Sequence, residues 1–142
     1  MKKVKGFTLV ELIVVIAIIG VLAAILVPSM LGYVKRSKIS SMNANARTLY
    51  DAVATSLIEI DVEGNNVADG DYTWSAGGAV GSLDEKVSNY FERVNELGTA
   101  SYTIANMACK GAYCEDNGYS GGWPVVSTMN NYTTFTLADA AS

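Results

Sequence analysis

The stretch Lys5-Gly6-Phe7-Thr8-Leu9-Val10-Glu11-Leu12-Ile13-Val14-Val15-Ile16-Ala17-Ile18-Ile19-Gly20 opens a long apolar run and keeps one carboxylate, Glu11, near its start. From Leu12 to Val34, 23 consecutive residues carry no charge. A hydrocarbon core about 30 Å thick is crossed by roughly 20 apolar residues in a helix, so this segment is long enough to span a bilayer. It is too uniformly apolar for the one-faced helix of a soluble fold. Glu11 then needs a reason, because an ionised group near hydrocarbon is costly unless something neutralises it.

Three readings compete for residues 1–34. An ordinary secretory signal has an apolar region of about 7–15 residues, and this one is longer. A plain signal anchor gives Glu11 no purpose. The third reading is a short basic leader, with Lys2, Lys3 and Lys5, that is removed ahead of the apolar helix and not behind it.

These residues resemble the amino terminus of the type IV pilin and pseudopilin family: a basic leader, a glycine, a phenylalanine, then glutamate at the fifth mature position. The similarity continues through the apolar run to Pro28. It implies cleavage between Gly6 and Phe7 by a membrane prepilin peptidase on the cytoplasmic side, and N-methylation of Phe7. It further implies assembly into a helical homopolymer by an ATPase and membrane platform proteins. The chain would be a single-pass membrane protein in the lipid bilayer, amino terminus cytoplasmic, before it enters an extracellular or envelope filament. The family also implies that the helix between Gly20 and Pro28 melts on assembly. Proline by itself removes a backbone donor and should kink the helix near Ala24.

Glu11 has a local reading and an intermolecular one. Thr8-Leu9-Val10-Glu11 has the spacing of a capping box. Phe7 and Glu11 also lie four apart and could pair within one chain. Across subunits, the Phe7 ammonium of one copy could neutralise Glu11 of another and fix axial register. Capping leaves the second carboxylate oxygen free, so both roles can hold.

Beyond Lys38 the pattern changes. Ile39, Met42, Ala46, Leu49, Val53, Leu57 and Ile60 recur every three or four residues and draw one stripe along a helix. Gly64-Asn65-Asn66 supplies its stop. The division is a leader at 1–6, a transmembrane and filament-core helix at 7–34, an amphipathic half of that helix at 35–61 and a globular head at 62–142. Thr8 to Ile60 would run about 80 Å at roughly 1.5 Å per residue. In the head, Ser82 and Glu85 frame a capping box before a helix expected over Leu83–Leu97, with Gly98 as its stop. Tyr102–Ala105, Val125–Thr128 and Tyr132–Leu137 read as strands, the last two joined at Asn130-Asn131. The expected fold is α+β and pilin-like: a long helix packed on a small antiparallel sheet.

The chain has no histidine, which excludes imidazole-based catalysis and zinc sites that need it. No nucleophile elbow or phosphate loop appears, so no enzyme is expected. After residue 40 there are 13 acidic residues and only Arg47, Lys86, Arg93 and Lys110 as bases, which argues against nucleic acid at the head. No cofactor is expected. Asp69, Asp71 and Asp116 are weak calcium candidates that lack EF-hand spacing, and solvated loop acids explain them better. Cys109 and Cys114, an even pair beyond a membrane segment, suggest one disulfide; two unrelated reduced thiols are the alternative. Trp74 and Trp123 could face a carbohydrate, although core anchors are the plainer reading. Three functions remain open: a pilus subunit; a pseudopilin of a type II secretion or DNA-uptake machine; and a membrane-anchored carbohydrate-binding or adhesion protein that does not polymerise.

Overall fold

The computed structural model describes residues 6–75 and 82–142; Met1–Lys5 of the expected leader lie outside them. Helix α1 runs from Leu9 to Val62, unbroken through Gly20 and Pro28. The chain divides into two compact units, residues 1–35 and 36–142. In the first, every described side chain is exposed. In length and composition, α1 is apolar enough to cross a membrane.

In the second unit, the remainder of α1 turns one stripe inward. Ile39, Ala46, Leu49, Val53, Leu57 and Ile60 are buried, as their spacing predicts, and Asn45, Ala52 and Ser56 join them. Small residues here let other backbone come close. The helix ends in a Schellman motif: Gly64 at φ +78° donates to the Asp61 carbonyl, and Asn65 donates to that of Ile60. Strand β1 (Gly70–Thr73) leads towards helix α2 (Leu83–Tyr90) and a 3-10 turn at Glu92–Glu96. Strands β2 (Thr99–Ala105), β3 (Ala108–Asp116) and β4 (Tyr119–Trp123) follow, then a looping segment and the short helix α3 (Leu137–Ala140). The four strands form one antiparallel sheet in the order β1-β2-β3-β4. The expected α+β architecture of a long helix packed on an antiparallel sheet is therefore what forms.

Details within the head differ from the sequence reading. The helix expected over Leu83–Leu97 breaks at Phe91, whose backbone (φ −137°, ψ 75°) leaves the helical region while its ring is buried. Ser82 caps α2 as expected, accepting from the Glu85 N–H. Gly98 is not a helical stop, because Leu97 is already extended and leads into β2. Tyr102–Ala105 lies within β2. Val125–Thr128 and Tyr132–Leu137 are not strands: turns occupy 129–134, and Thr136 and Asp139 form a reciprocal capping box for α3. Asn131 does make a turn, its Oδ1 accepting from the N–H and hydroxyl of Thr128 at 2.7 and 2.9 Å, but no hairpin flanks it.

The strands that form instead carry glycine and cysteine. Thr103 pairs with Gly111 and Ile104 with Cys109, so Lys110 is an extra residue in β3. That bulge resets the alternation, and Cys109, Ala112 and Cys114 all reach the core. Gly121 in β4 lies so close to the Met42–Asn43 backbone of α1 that any Cβ would overlap it. A Cβ on neighbouring Gly122 would overlap the Phe135 ring.

Asn43 fastens this contact. Its Oδ1 accepts from the N–H groups of Gly122 and Ser127, both at 3.0 Å, and its Nδ2 donates to the Ser127 carbonyl at 2.9 Å. Lys38 lies over the Tyr119 ring at 5.4 Å, and Arg47 over Trp123 at 4.7 Å. On the other side of the sheet order, Lys86 of α2 meets Glu59 and Glu63 of the α1 terminus at 3.6 and 2.7 Å. The hydrogen bond to Glu63 holds the Lys86 ammonium above its ordinary range.

Asn43→Ala should destabilise the head by roughly 1–3 kcal/mol, since two backbone N–H groups and a carbonyl lose their partner. Gly121→Ala should cost roughly 1–3 kcal/mol or more by forcing α1 from β4. Denaturant unfolding of the full chain in mild detergent measures both.

Candidate functional site

Ahead of α1, Gly6 and Phe7 are exposed, and a side chain at position 6 would meet nothing within 4 Å. Phe7 is 79% exposed. The first turn of the helix is held by the expected capping box. The Thr8 N–H and hydroxyl both donate to the same oxygen, Oε2 of Glu11, at 2.9 and 2.7 Å. Glu11 N–H donates back to the Thr8 hydroxyl at 3.3 Å. Oε1 has no partner among the described residues. The carboxylate thus completes the cap with one oxygen and presents the other outward.

The surface beyond it is apolar on every side. Ile13, Val14, Ile16, Ile18, Val21, Leu22, Ile25 and Leu26 are all exposed by half or more. Pro28 has no N–H to give the Ala24 carbonyl. At the next residue, the Ser29 hydroxyl donates to the Leu26 carbonyl at 2.9 Å.

The other candidates do not assemble into a site. Asp69 accepts from the Asn106 N–H at 2.8 Å, Asp71 from the Thr103 hydroxyl at 2.7 Å, and Asp116 from the Asn117 amide at 2.8 Å. No three acidic or thiol groups converge to hold a metal among the described residues. Trp74 and Trp123 pack against the core and do not form an open platform. Asn43 and the Gly121-Gly122 pair were not singled out by sequence. The adjacent glycines were the available signal, since glycine inside a strand often marks a close backbone approach.

The expected disulfide is not formed. Cys109 and Cys114 are free and buried. Both lie on one extended strand, about 13–16 Å apart at roughly 3.3 Å per residue. A disulfide needs Cα atoms within about 7 Å, so β3 itself forbids the bridge. Burial pushes both thiols up to about 12.

Comparison with known proteins agrees with the motif. Residues 1–27 match the family described as the prokaryotic N-terminal methylation motif. The chain is 39% identical over 77 residues to a type IV major fimbrial protein of Dichelobacter nodosus, covering 49% of each chain. Another Dichelobacter nodosus type IV major fimbrial protein aligns over 97% of this chain and 82% of its own length at 29% identity. The type IV major pilin protein of Myxococcus xanthus is 46% identical over 57 residues, 40% of this chain and 26% of that one. The chain spans about half the length, or less, of the first curated relatives it matches. No solved structure matches.

The amino-terminal motif matches the prokaryotic N-terminal methylation motif, and the chain as a whole is similar to type IV fimbrial proteins. Among named proteins, it is type IV fimbrial proteins that it resembles, and the pseudopilin alternative has no better support.

The thiols generate a prediction. In the fold their pKa lies above the ordinary thiol value of about 8.5, so the folded protein holds these protons more tightly than the unfolded chain. Their contribution is complete below about pH 8.5 and is lost as pH rises towards 12. Native protein at neutral pH should resist a thiol reagent, and unfolded protein should take up two equivalents. A reductant should leave the unfolding midpoint unchanged, whereas a lowered midpoint would show that a bridge exists.

Proposed function

We propose that this chain is the structural subunit of a type IV pilus-like filament. It is held first in the membrane by α1 with its amino terminus cytoplasmic. A prepilin peptidase cuts between Gly6 and Phe7, the new Phe7 amine is methylated, and copies of the chain then polymerise, driven by an assembly ATPase and membrane platform proteins. The role is structural and not catalytic.

The observation that carries this reading is the divided use of Glu11. Thr8 engages Oε2 alone, so the cap forms without consuming the carboxylate. A neighbouring Phe7 ammonium, still charged after monomethylation, fits the remaining oxygen. Paired this way, two opposite charges that are each expensive near hydrocarbon neutralise one another. Their positions also set one copy's height against the next, a job that non-directional apolar packing does poorly. The exposed aliphatic surface of α1 supports the same reading, since it can pack among lipid tails or identical helices with no change of chemistry.

Two variants separate capping from register. Glu11→Ala should be processed and membrane-bound yet yield fewer than about a tenth as many fibres, the drop expected where a desolvated charge pair loses roughly 2 kcal/mol or more. Thr8→Ala weakens the cap but keeps the acid and should assemble nearly normally. Equal loss in both would assign Glu11 to the cap alone.

The cleavage step has its own check by mass spectrometry of the amino terminus. A mature start at methylated Phe7 is expected. Gly6→Leu should abolish that species, and its persistence would show that the cut is placed wrongly.

A further inference from the structure

The far end of the uncharged run carries a feature that the filament reading does not use. Tyr33 is 74% exposed, and Lys35 and Arg36 beside it are exposed as well. Neither cation has an ion-pair partner among the described residues, in contrast to Lys86 and Arg93. Lys38, one turn on, is already engaged by the Tyr119 ring. Two cations without an ion-pair partner among the described residues and an amphipathic ring therefore occupy positions 33, 35 and 36, where α1 leaves its apolar stretch.

Their depth is fixed by counting. The 23 uncharged residues from Leu12 to Val34 cover about 35 Å of helix, slightly more than a hydrocarbon core of about 30 Å. With Glu11 at one boundary, Tyr33, Lys35 and Arg36 fall at the opposite headgroup layer. Tyrosine prefers that layer because its ring is apolar and its hydroxyl is wet. Lysine and arginine lay their stems along the acyl chains and raise the charge into the headgroups. At about 100° per residue, Lys35 and Arg36 point to different sides of α1, so both cannot serve one protein neighbour as well as they serve a surrounding ring of lipid.

We propose that Lys35 and Arg36, with Tyr33, form a collar that binds the phosphates of anionic phospholipids in the leaflet at the carboxyl end of the span. The collar anchors the unassembled subunit at a fixed depth, and extraction into a filament has to strip those headgroups away. This rests on the reading of α1 as a membrane span.

The test is lipid selectivity. Full-length chain is reconstituted in phosphatidylcholine vesicles carrying a trace of acyl-chain spin-labelled phosphatidylglycerol or phosphatidylcholine. Electron spin resonance then gives the fraction of each label immobilised on the protein. Labelled phosphatidylglycerol should be preferred, and the preference should fall in K35Q/R36Q by up to roughly fivefold for each charge removed. Lys35→Arg should keep it, and high salt should weaken it. Equal preference in parent and double variant, with both lipids immobilised, overturns the collar and leaves the span intact. No immobilised lipid of either kind overturns the span, and the collar with it. Unchanged lipid preference with poor fibre yield in K35Q/R36Q assigns the cations to carboxylates of a second copy and also overturns the proposal.

Discussion

Water cannot cheaply solvate the outer surface of α1 between Leu12 and Val34, and that constraint governs what the molecule can be. Each exposed Leu, Ile or Val there represents roughly 1.5–3 kcal/mol of unfavourable hydration that burial would remove. Among its described residues, the first unit contains no partner of its own to cover it. Something external has to, and lipid tails or copies of the same helix are chemically equivalent covers. A surface indifferent to which of the two surrounds it can pass from one to the other with little change in apolar free energy.

The same helix solves a different problem in the second unit. After Lys38 most of the large aliphatic side chains of α1 fall on one buried stripe, Ile58 and Val62 staying exposed, and the gaps in that stripe are small: Asn45, Ala52 and Ser56. The glycine of β4 meets the Met42–Asn43 backbone directly, so contact there is backbone on backbone. Such close approach excludes water and fixes spacing, but it offers little apolar area. The Asn43 hydrogen bonds and the two cation–ring contacts of Lys38 and Arg47 supply direction where apolar area is thin. One interaction type thus cannot replace the other.

How much of this could be seen in the sequence depended on whether the signal was local. The apolar run, the switch to a stripe, the Thr8–Glu11 box and the Gly64 stop are each written within a few residues, and each was legible. The α2 cap at Ser82 was legible for the same reason. The strands were not, because β3 hides its alternation behind a one-residue bulge at Lys110 and β4 spends its centre on Gly121 and Gly122. Residues of high strand propensity, Val125-Val126 and Tyr132 to Phe135, went instead to the bend and turns that follow β4. The disulfide expectation failed likewise. Four residues between two cysteines describe a small ring only if the chain between them turns, and here it is extended.

Gly20 and Pro28 show how environment can decide a helix. Glycine lowers helical stability by about 1 kcal/mol relative to alanine, and proline leaves the Ala24 carbonyl without its usual donor. Nothing in the side chains between them compensates, for they are aliphatic and point outward. In hydrocarbon, an unwound backbone has no water to satisfy it, so lipid enforces the helix despite both defects. Removal of that enforcement leaves the helix at its weakest between these two residues. Were the segment to leave a bilayer, the change of solvent would act on these two residues directly, with no dedicated hinge.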